Sequence, residues 1–221
     1  GPTGIFISLG TPDGKRTIIV STGVADQLSE TDIPDAFFEA GSTLHMEGFM
    51  AWREDFFMSC LERAARSGML ISLDASSRSL IEKRHSLFIE AARRYCSILF
   101  LNEDEAIALV GGPLESRVLA GLGCDVVVKG AERGAIFVSG DTIIESPVRA
   151  QVPFDETGAG DAFAAGFLVG RIRGMSPDHC LRLGNRIAEE TIRVPGCRID
   201  PVRARSVIRS TSRCSICVSG R

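Results

Sequence analysis

The sequence predicts an α/β protein built on a doubly wound, mostly parallel sheet with helices on both faces, preceded by a β hairpin. Three observations carry that prediction. Short apolar runs, among them Met69–Leu73, Ser97–Leu101 and Asp125–Lys129, alternate with stretches of helical period. These runs are continuously apolar, as strands covered on both sides are. Turn-forming residues separate run from helix at each step, which is the rhythm of a parallel sheet.

Ile5–Leu9 and Thr17–Val20 flank Thr11-Pro12-Asp13-Gly14, and apolar runs around an Asp-Gly turn predict a hairpin over residues 1–22. A strand over Leu44–Gly48 leads into an amphipathic helix from Trp52 to Ser67, and Met69–Leu73 is a buried strand ending at Asp74. Leu80–Arg94 reads as one helix, Ser97–Leu101 as a strand, and Glu103–Val110 as a helix stopped by Gly111-Gly112. After the strand Asp125–Lys129, Gly134–Val138 and Thr142–Glu145 form a second hairpin around Ser139-Gly-Asp141. Two helices close the chain: one from Gly158 to about Arg173, the other from Ser176-Pro177 to near Pro195-Gly196. The residues from 204 onward, rich in Arg, Ser and Cys, carry no readable pattern.

A length of 221 residues fits one α/β domain, and 44% apolar with 24% charged residues is the composition of a folded globular chain. The net charge of −3 leaves no footprint for nucleic acid or an anionic membrane. The longest apolar stretch, Ala162–Val169, is too short to span a bilayer. Seven cysteines in apolar contexts read as reduced thiols of a cytoplasmic protein, and Cys214-Ser-Ile-Cys217 lacks the second pair that a zinc site needs. No secretory signal is visible, and a chain opening on Gly1-Pro2 is expected to be processed or partial.

In an open parallel sheet ligands gather beyond the carboxyl ends of the strands. That rule brings the loops at Glu47-Gly48, Asp74, Asn102, Lys129 and Asp155 to one crevice. The most informative segment is Asp155-Glu-Thr-Gly-Ala-Gly-Asp161. Gly158, Ala159 and Gly160 precede a helix whose unpaired N–H groups and positive dipole end suit a phosphoryl group. Asp161, in the first turn, would stand beside that group as a carboxylate. The plainer alternative is a tight turn in which Asp161 only complements the dipole.

The full segment resembles the C-terminal motif of the ribokinase (PfkB) family of sugar and nucleoside kinases, usually Asp-Thr-Thr-Gly-Ala-Gly-Asp, with Glu156 here where Thr is common. The resemblance runs to about Pro201 and is nearest to adenosine-kinase-like members. It implies an ATP-dependent phosphotransferase acting on the hydroxymethyl of a sugar or nucleoside, with Asp161 as base. Gly158, Ala159 and Gly160 would form the anion hole. Asn102 and Glu105 reproduce the family's Asn-x-x-Glu element, which serves Mg²⁺ and phosphate largely through water. The same two residues also form a helix-capping box.

Lys129, Gly130 and Gly134 resemble the strand and glycine turn that line the nucleotide phosphates, with Ala131 where Gly is usual. Asn185 corresponds to the residue abutting adenine, and Gly196 to the last turn near the nucleotide and monovalent cation. Asp155 and Thr157 would supply oxygens to potassium. Glu47-Gly48 resembles the acceptor-side Glu-Gly-Tyr element, Phe49 replacing Tyr, while His45 reads as a packed core histidine. The pattern begins partway into the family, so the chain is expected to be N-terminally incomplete, residues 1–22 being the rest of a β lid. Its open strand edges favour a homodimer. A shortened, inactive nucleotide-binding or oligomerisation module is the competing reading. A dinucleotide-dependent dehydrogenase is disfavoured because no Gly-x-Gly-x-x-Gly follows an early strand.

Overall fold

The computed structural model describes residues 1–11, 16–113 and 115–213. A separate antiparallel ribbon, β1 (Ile5–Gly10) and β2 (Arg16–Ser21), comes first. The Asp13-Gly14 turn expected between them lies outside the described residues. Six strands then form the main sheet in sequence order: β3 (Thr43–Glu47), β4 (Leu70–Asp74), β5 (Ile98–Asn102), β6 (Asp125–Lys129), β7 (Ala135–Ser139) and β8 (Thr142–Ser146). The pairs from β3 to β6 are parallel, and β7 and β8 add the expected antiparallel hairpin.

Strand periodicity sorts the core into two layers. Ile71, Leu73, Leu99, Leu101, Val126 and Val128 face α1 (Glu54–Arg66), α2 (Arg78–Lys83), α3 (His85–Arg94), α4 (Glu103–Val110) and α5 (Ser116–Ala120). Ile98, Phe100, Val127, Ala135 and Phe137 face α6 (Ala159–Ile172) and α7 (Pro177–Thr191). Phe100 stands edge-on to Phe167 at a ring-centre distance of 5.4 Å, which roots α6 on β5. Helices therefore cover both faces, as the continuously apolar strands require.

Two expectations are corrected. The helix foreseen over Leu80–Arg94 is two, broken at Arg84, whose N–H closes on both Leu80 and Ile81 carbonyls. The apolar spacing runs through the break, so the pattern gave no sign of it. The tail is also not shapeless: α8 (Pro201–Arg213) packs Val207 and Ile208 against Leu183 and Ile187 of α7. Its start was signalled by Asp200-Pro201, since the Asp200 carboxylate accepts the Val202 N–H at 2.8 Å. The Cys214–Cys217 pair lies outside the described residues.

On the ribbon, Ile5, Phe6, Ile7, Leu9, Ile19 and Val20 are exposed, so it contributes little to the core. Helices α6 and α7 meet more closely than side chains permit: a Cβ on Gly166 would lie 2.9 Å from Gly184 Cα. Gly166→Ala is therefore expected to destabilise the fold by about 1–3 kcal/mol. Gly112→Ala, which meets nothing within 4 Å, should shift the urea midpoint far less. Equal midpoints for the two variants would contradict the close crossing.

Candidate active site

Register brings the polar strand ends together. Glu47 pairs with Asp74 across β3 and β4, and Asn102 with Lys129 across β5 and β6, so all four stand at one edge of the sheet. Asp74 is buried, and its Oδ2 accepts a hydrogen bond from the Lys129 ammonium in a short ion pair. The pair is drawn in from water, where a charge is tolerated only when matched.

Above this edge begins α6. Gly158 caps it in the left-handed conformation, φ +76°, where a Cβ would come within 2.6 Å of Cys197 Cβ. Ala159 N–H is bonded to the Glu156 carbonyl at 3.1 Å, so it is not free for an anion. Among the described residues no backbone carbonyl accepts from the Gly160 or Asp161 N–H. Of the expected Gly158-Ala159-Gly160 set, Ala159 is thus the amide already engaged, and the Asp161 N–H joins the open donors of the first turn. Lys129 Nζ lies 3.4 Å from where a Gly160 Cβ would stand, so the ammonium and these open amides face the same space.

Asp161 is solvent-accessible and looks toward the carboxylates of β3 and β4. Partial burial holds its carboxyl above the usual aspartate range, helped by Glu47 and Asp74 and opposed by Lys129 and His45. Glu105 is buried and likewise raised, chiefly by burial. It completes a full capping box: Asn102 Oδ1 accepts from Glu105 N–H and Glu105 Oε2 from Asn102 N–H, each at 2.8 Å. Glu47 is instead held below the usual glutamate range, first by its contact with His45. His45 is not the packed core residue that its apolar neighbours suggested. It sits half-exposed at the crevice, with Nδ1 2.9 Å from Ser72 Oγ and Nε2 3.4 Å from Glu47 Oε1.

Behind α6, Asp155 ties two loops. Its Oδ1 accepts from Thr157 N–H and Thr157 Oγ1 at 2.9 and 2.6 Å, and its Oδ2 from Gly196 N–H at 2.8 Å. On the other side of Gly160 opens a cavity of about 420 Å³, inside the usual size range for a small-molecule pocket. Asn102, Lys129, Ala131, Gly134, Ala159, Gly160 and Asn185 line it, with a wall from Val148 to Pro153 that no sequence pattern announced. Gly196, Gly130, Asp155 and Thr157 are not on its lining. Asn185 is buried, and its amide donates to the Ser146 carbonyl and hydroxyl, fixing α7 to the end of β8.

The glycine turn after β6 keeps its shape through Gly130 N–H to Gly134 O at 2.7 Å. Ala131, where the motif usually has Gly, takes a left-handed φ of +48°. Gly134 is required twice over, by φ +90° and by the Ser146 carbonyl 2.1 Å from its would-be Cβ.

Open amides at a helix start, a lysine beside them and a small-molecule-sized cavity thus stand together at the carboxyl edge of an open α/β sheet. The model of the pfkB family of carbohydrate kinases matches residues 1–204, and the chain belongs to that family. It is 29% identical over 187 residues to a cytidine kinase of Thermococcus kodakarensis, covering 82% of this chain and 66% of that protein. It is 25% identical over 223 residues to an adenosine kinase of Schizosaccharomyces pombe, covering 88% and 64%. The crystal structure of adenosine kinase from Sinorhizobium meliloti superposes with a TM-score of 0.86 at 27% identity, over 95% of this chain and 66% of that one. The chain thus spans about two thirds of the length of these relatives. Among the described residues, no helix is long and apolar enough to cross a membrane.

The raised Asp161 carboxyl has a measurable consequence. A carboxyl whose folded value lies above its unfolded one favours folding at low pH, and this contribution is lost as pH rises through the folded value. Asp161→Asn should therefore raise the urea midpoint at pH 7. The gain should shrink as pH falls and the wild-type carboxyl takes up its proton. A variant less stable than wild type at pH 7 would contradict the crowded-carboxylate geometry.

Proposed function

We propose that this chain is the nucleotide-binding and phosphoryl-transfer part of an ATP-dependent kinase that phosphorylates a hydroxymethyl group of a sugar or nucleoside. The observation that carries the reading is the placement of Asp161 beside the open α6 amides and Lys129, between the cavity and the Glu47 side of the crevice. The cavity would take the nucleotide, with Asn185 at its far wall and the Lys129–Gly134 turn along the phosphates.

The acceptor alcohol would approach from Glu47 and Gly48. Its proton passes to the Asp161 carboxylate as the oxygen bonds to the γ-phosphorus and the bond to ADP breaks; the products are ADP and a phosphate monoester. The open Gly160 and Asp161 amides and the Lys129 ammonium stabilise charge on the transferring oxygens. A carboxyl raised toward neutrality is the stronger base, so burial of Asp161 serves the same step.

Glu47, Asp74, Glu105 and Asp161 outnumber Lys129, and the deficit suits an added cation. Among the described residues no three His, Cys, Asp or Glu side chains gather as a metal cage, so Mg²⁺ would arrive on phosphate oxygens and waters, its usual mode. Asn102 and Glu105 are the residues to hold it through water, and its chemistry would be charge neutralisation at the phosphates. Potassium at Asp155 and Thr157 would share a carboxylate that already accepts three hydrogen bonds.

Asp161→Asn should lower turnover by about 10² to 10⁴, the range of one general base, with ATP affinity unchanged or improved. A coupled ADP-release assay on a panel of sugars and nucleosides, with calorimetry for ATP, measures both. Near-normal turnover in the variant would leave Asp161 as a dipole partner only. Gly160→Val should weaken ATP binding by driving a branched side chain onto Lys129. Equal ATP affinity would remove the α6 start from the nucleotide site. At fixed ionic strength, turnover should rise when potassium replaces a large organic cation, and no response would retire the Asp155 assignment.

A further inference from the structure

Ser76, two residues beyond the end of β4, adopts φ +65°, a left-handed conformation that side chains other than Asn and Asp rarely take. Such a residue costs about 1–3 kcal/mol and persists only where its surroundings hold it. Its own loop explains part of the geometry: the Ser76 N–H donates to Asp74 Oδ1 at 3.1 Å. Glycine would make that turn without strain. The hydroxyl, which glycine lacks, works elsewhere.

Ser76 Oγ accepts the Gly48 N–H at 2.9 Å and donates to Glu47 Oε2 at 2.6 Å. The Asp74 carbonyl is also in reach at 3.1 Å, but one proton serves one acceptor best, and the shorter bond to a carboxylate is the stronger. Glu47 Oε1 faces His45 Nε2 from the other side. Gly48 lets the loops approach, because a Cβ there would lie 2.3 Å from the Ala75 carbonyl. A strained backbone thus presents one hydroxyl to the Glu47-Gly48 element, while Asp74, two residues away, holds Lys129 with its other oxygen.

We infer that Ser76 is a positioning residue for the acceptor: its hydroxyl fixes the Glu47 carboxylate so that Glu47 can receive a hydroxyl of the alcohol substrate next to Asp161. The inference rests on the kinase reading of the site. It extends that reading to a residue outside the motifs, and it separates the acceptor's anchor from the nucleotide's.

The test compares wild type with Ser76→Gly, Ser76→Ala, Glu47→Gln and the Ser76→Gly/Glu47→Gln double variant. Adenosine, cytidine and ribose serve as acceptors with ATP saturating, and urea unfolding is followed in parallel. Ser76→Gly should be at least as stable as wild type, because the strain is gone, yet its acceptor KM should rise about tenfold to a hundredfold, the worth of a charge-assisted hydrogen bond. The KM for ATP should stay within about twofold, as the nucleotide contacts are not touched. Ser76→Ala should share the acceptor loss, which assigns the loss to the hydroxyl and not to a loosened loop. The double variant should be no worse than Glu47→Gln alone, since a residue acting through Glu47 has nothing left to position. An unchanged acceptor KM in an active Ser76→Gly, or penalties that add in the double variant, would overturn the assignment. Wild type that binds ATP but phosphorylates none of the three acceptors would instead count against the kinase reading, and this inference would fall with it.

Discussion

Negative charge crowded at one sheet edge is the constraint on which the site depends. Parallel strands all end on the same side, and the register sets Glu47 level with Asp74, and Asn102 level with Lys129. Asp161 enters the same space from α6, so three carboxylates share it with a single lysine, and that lysine is already tied to Asp74. Such a site repels further anions unless open donors or a cation are provided. The open amides of α6 supply the former, and a metal carried on phosphate oxygens suits the latter. The raised Asp161 carboxyl and the lowered Glu47 carboxyl are two results of one arrangement. Asp161 is partly buried among like charges, whereas Glu47 is in direct contact with His45 and Ser76. Under the proposed kinase reading, environments that push neighbouring carboxyls in opposite directions would divide the work between a base and a binding group.

The helix start can hold its place only because the rest of α6 is anchored. Phe100, Phe163 and Phe167 interlock at ring-centre distances between 5.4 and 6.5 Å, fastening the helix to β5. Gly166 and Gly184 then let α7 close down on it without a side chain between them. Through Asn185 and Ser146, α7 is in turn fixed to the end of the β7–β8 hairpin. The cavity therefore lies between elements joined by buried contacts on both sides. Its outer wall, Val148 to Pro153, lies outside any helix or strand and reaches the turn after α7 through Gln151 and Arg193.

Legibility in the sequence followed the physics of each element. Strands β3 to β8 and the long helices were readable because burial on two faces or one imposes a period on the residues. The break at Arg84 was not readable, since the apolar spacing continues through it. Helix α8 could have been read from Asp200-Pro201, but an arginine-rich face obscured its apolar positions Ala204, Val207 and Ile208. In the site, the strand-end rule foresaw Asn102 and Lys129 at one crevice with the loop that leads into Gly160 and Asp161. What it could not give was which amides stay open, because that turns on a single bond from Ala159 to Glu156. Asp74 was visible only as a strand end, and Ser76 not at all. Their roles come from contacts between residues 28 to 55 positions apart, which no local pattern encodes.

Among the described residues, two without glycine's freedom sit in left-handed backbone, and both flank the Asp74–Lys129 pair: Ser76 lies two positions after Asp74, and Ala131 two after Lys129. Their strain is held by different means. Ser76 is held through its own side chain, which is bonded to Glu47 and Gly48. Ala131 has no polar side chain, so its conformation must be imposed by the turn around it. Gly130 N–H to Gly134 O, Arg133 N–H to Gly130 O and Gly134 N–H to Ala131 O close that turn on itself. Backbone hydrogen bonds of this number can outweigh the roughly 1–2 kcal/mol that a left-handed alanine costs. The Ala131 turn is closed by backbone bonds of its own, whereas the Ser76 loop is tied across to Glu47 and Gly48 by a hydroxyl as well as to Asp74 by its backbone. The cavity side of the crevice is thus shaped by backbone bonds within one turn, and the Glu47 side by a side-chain contact between two loops.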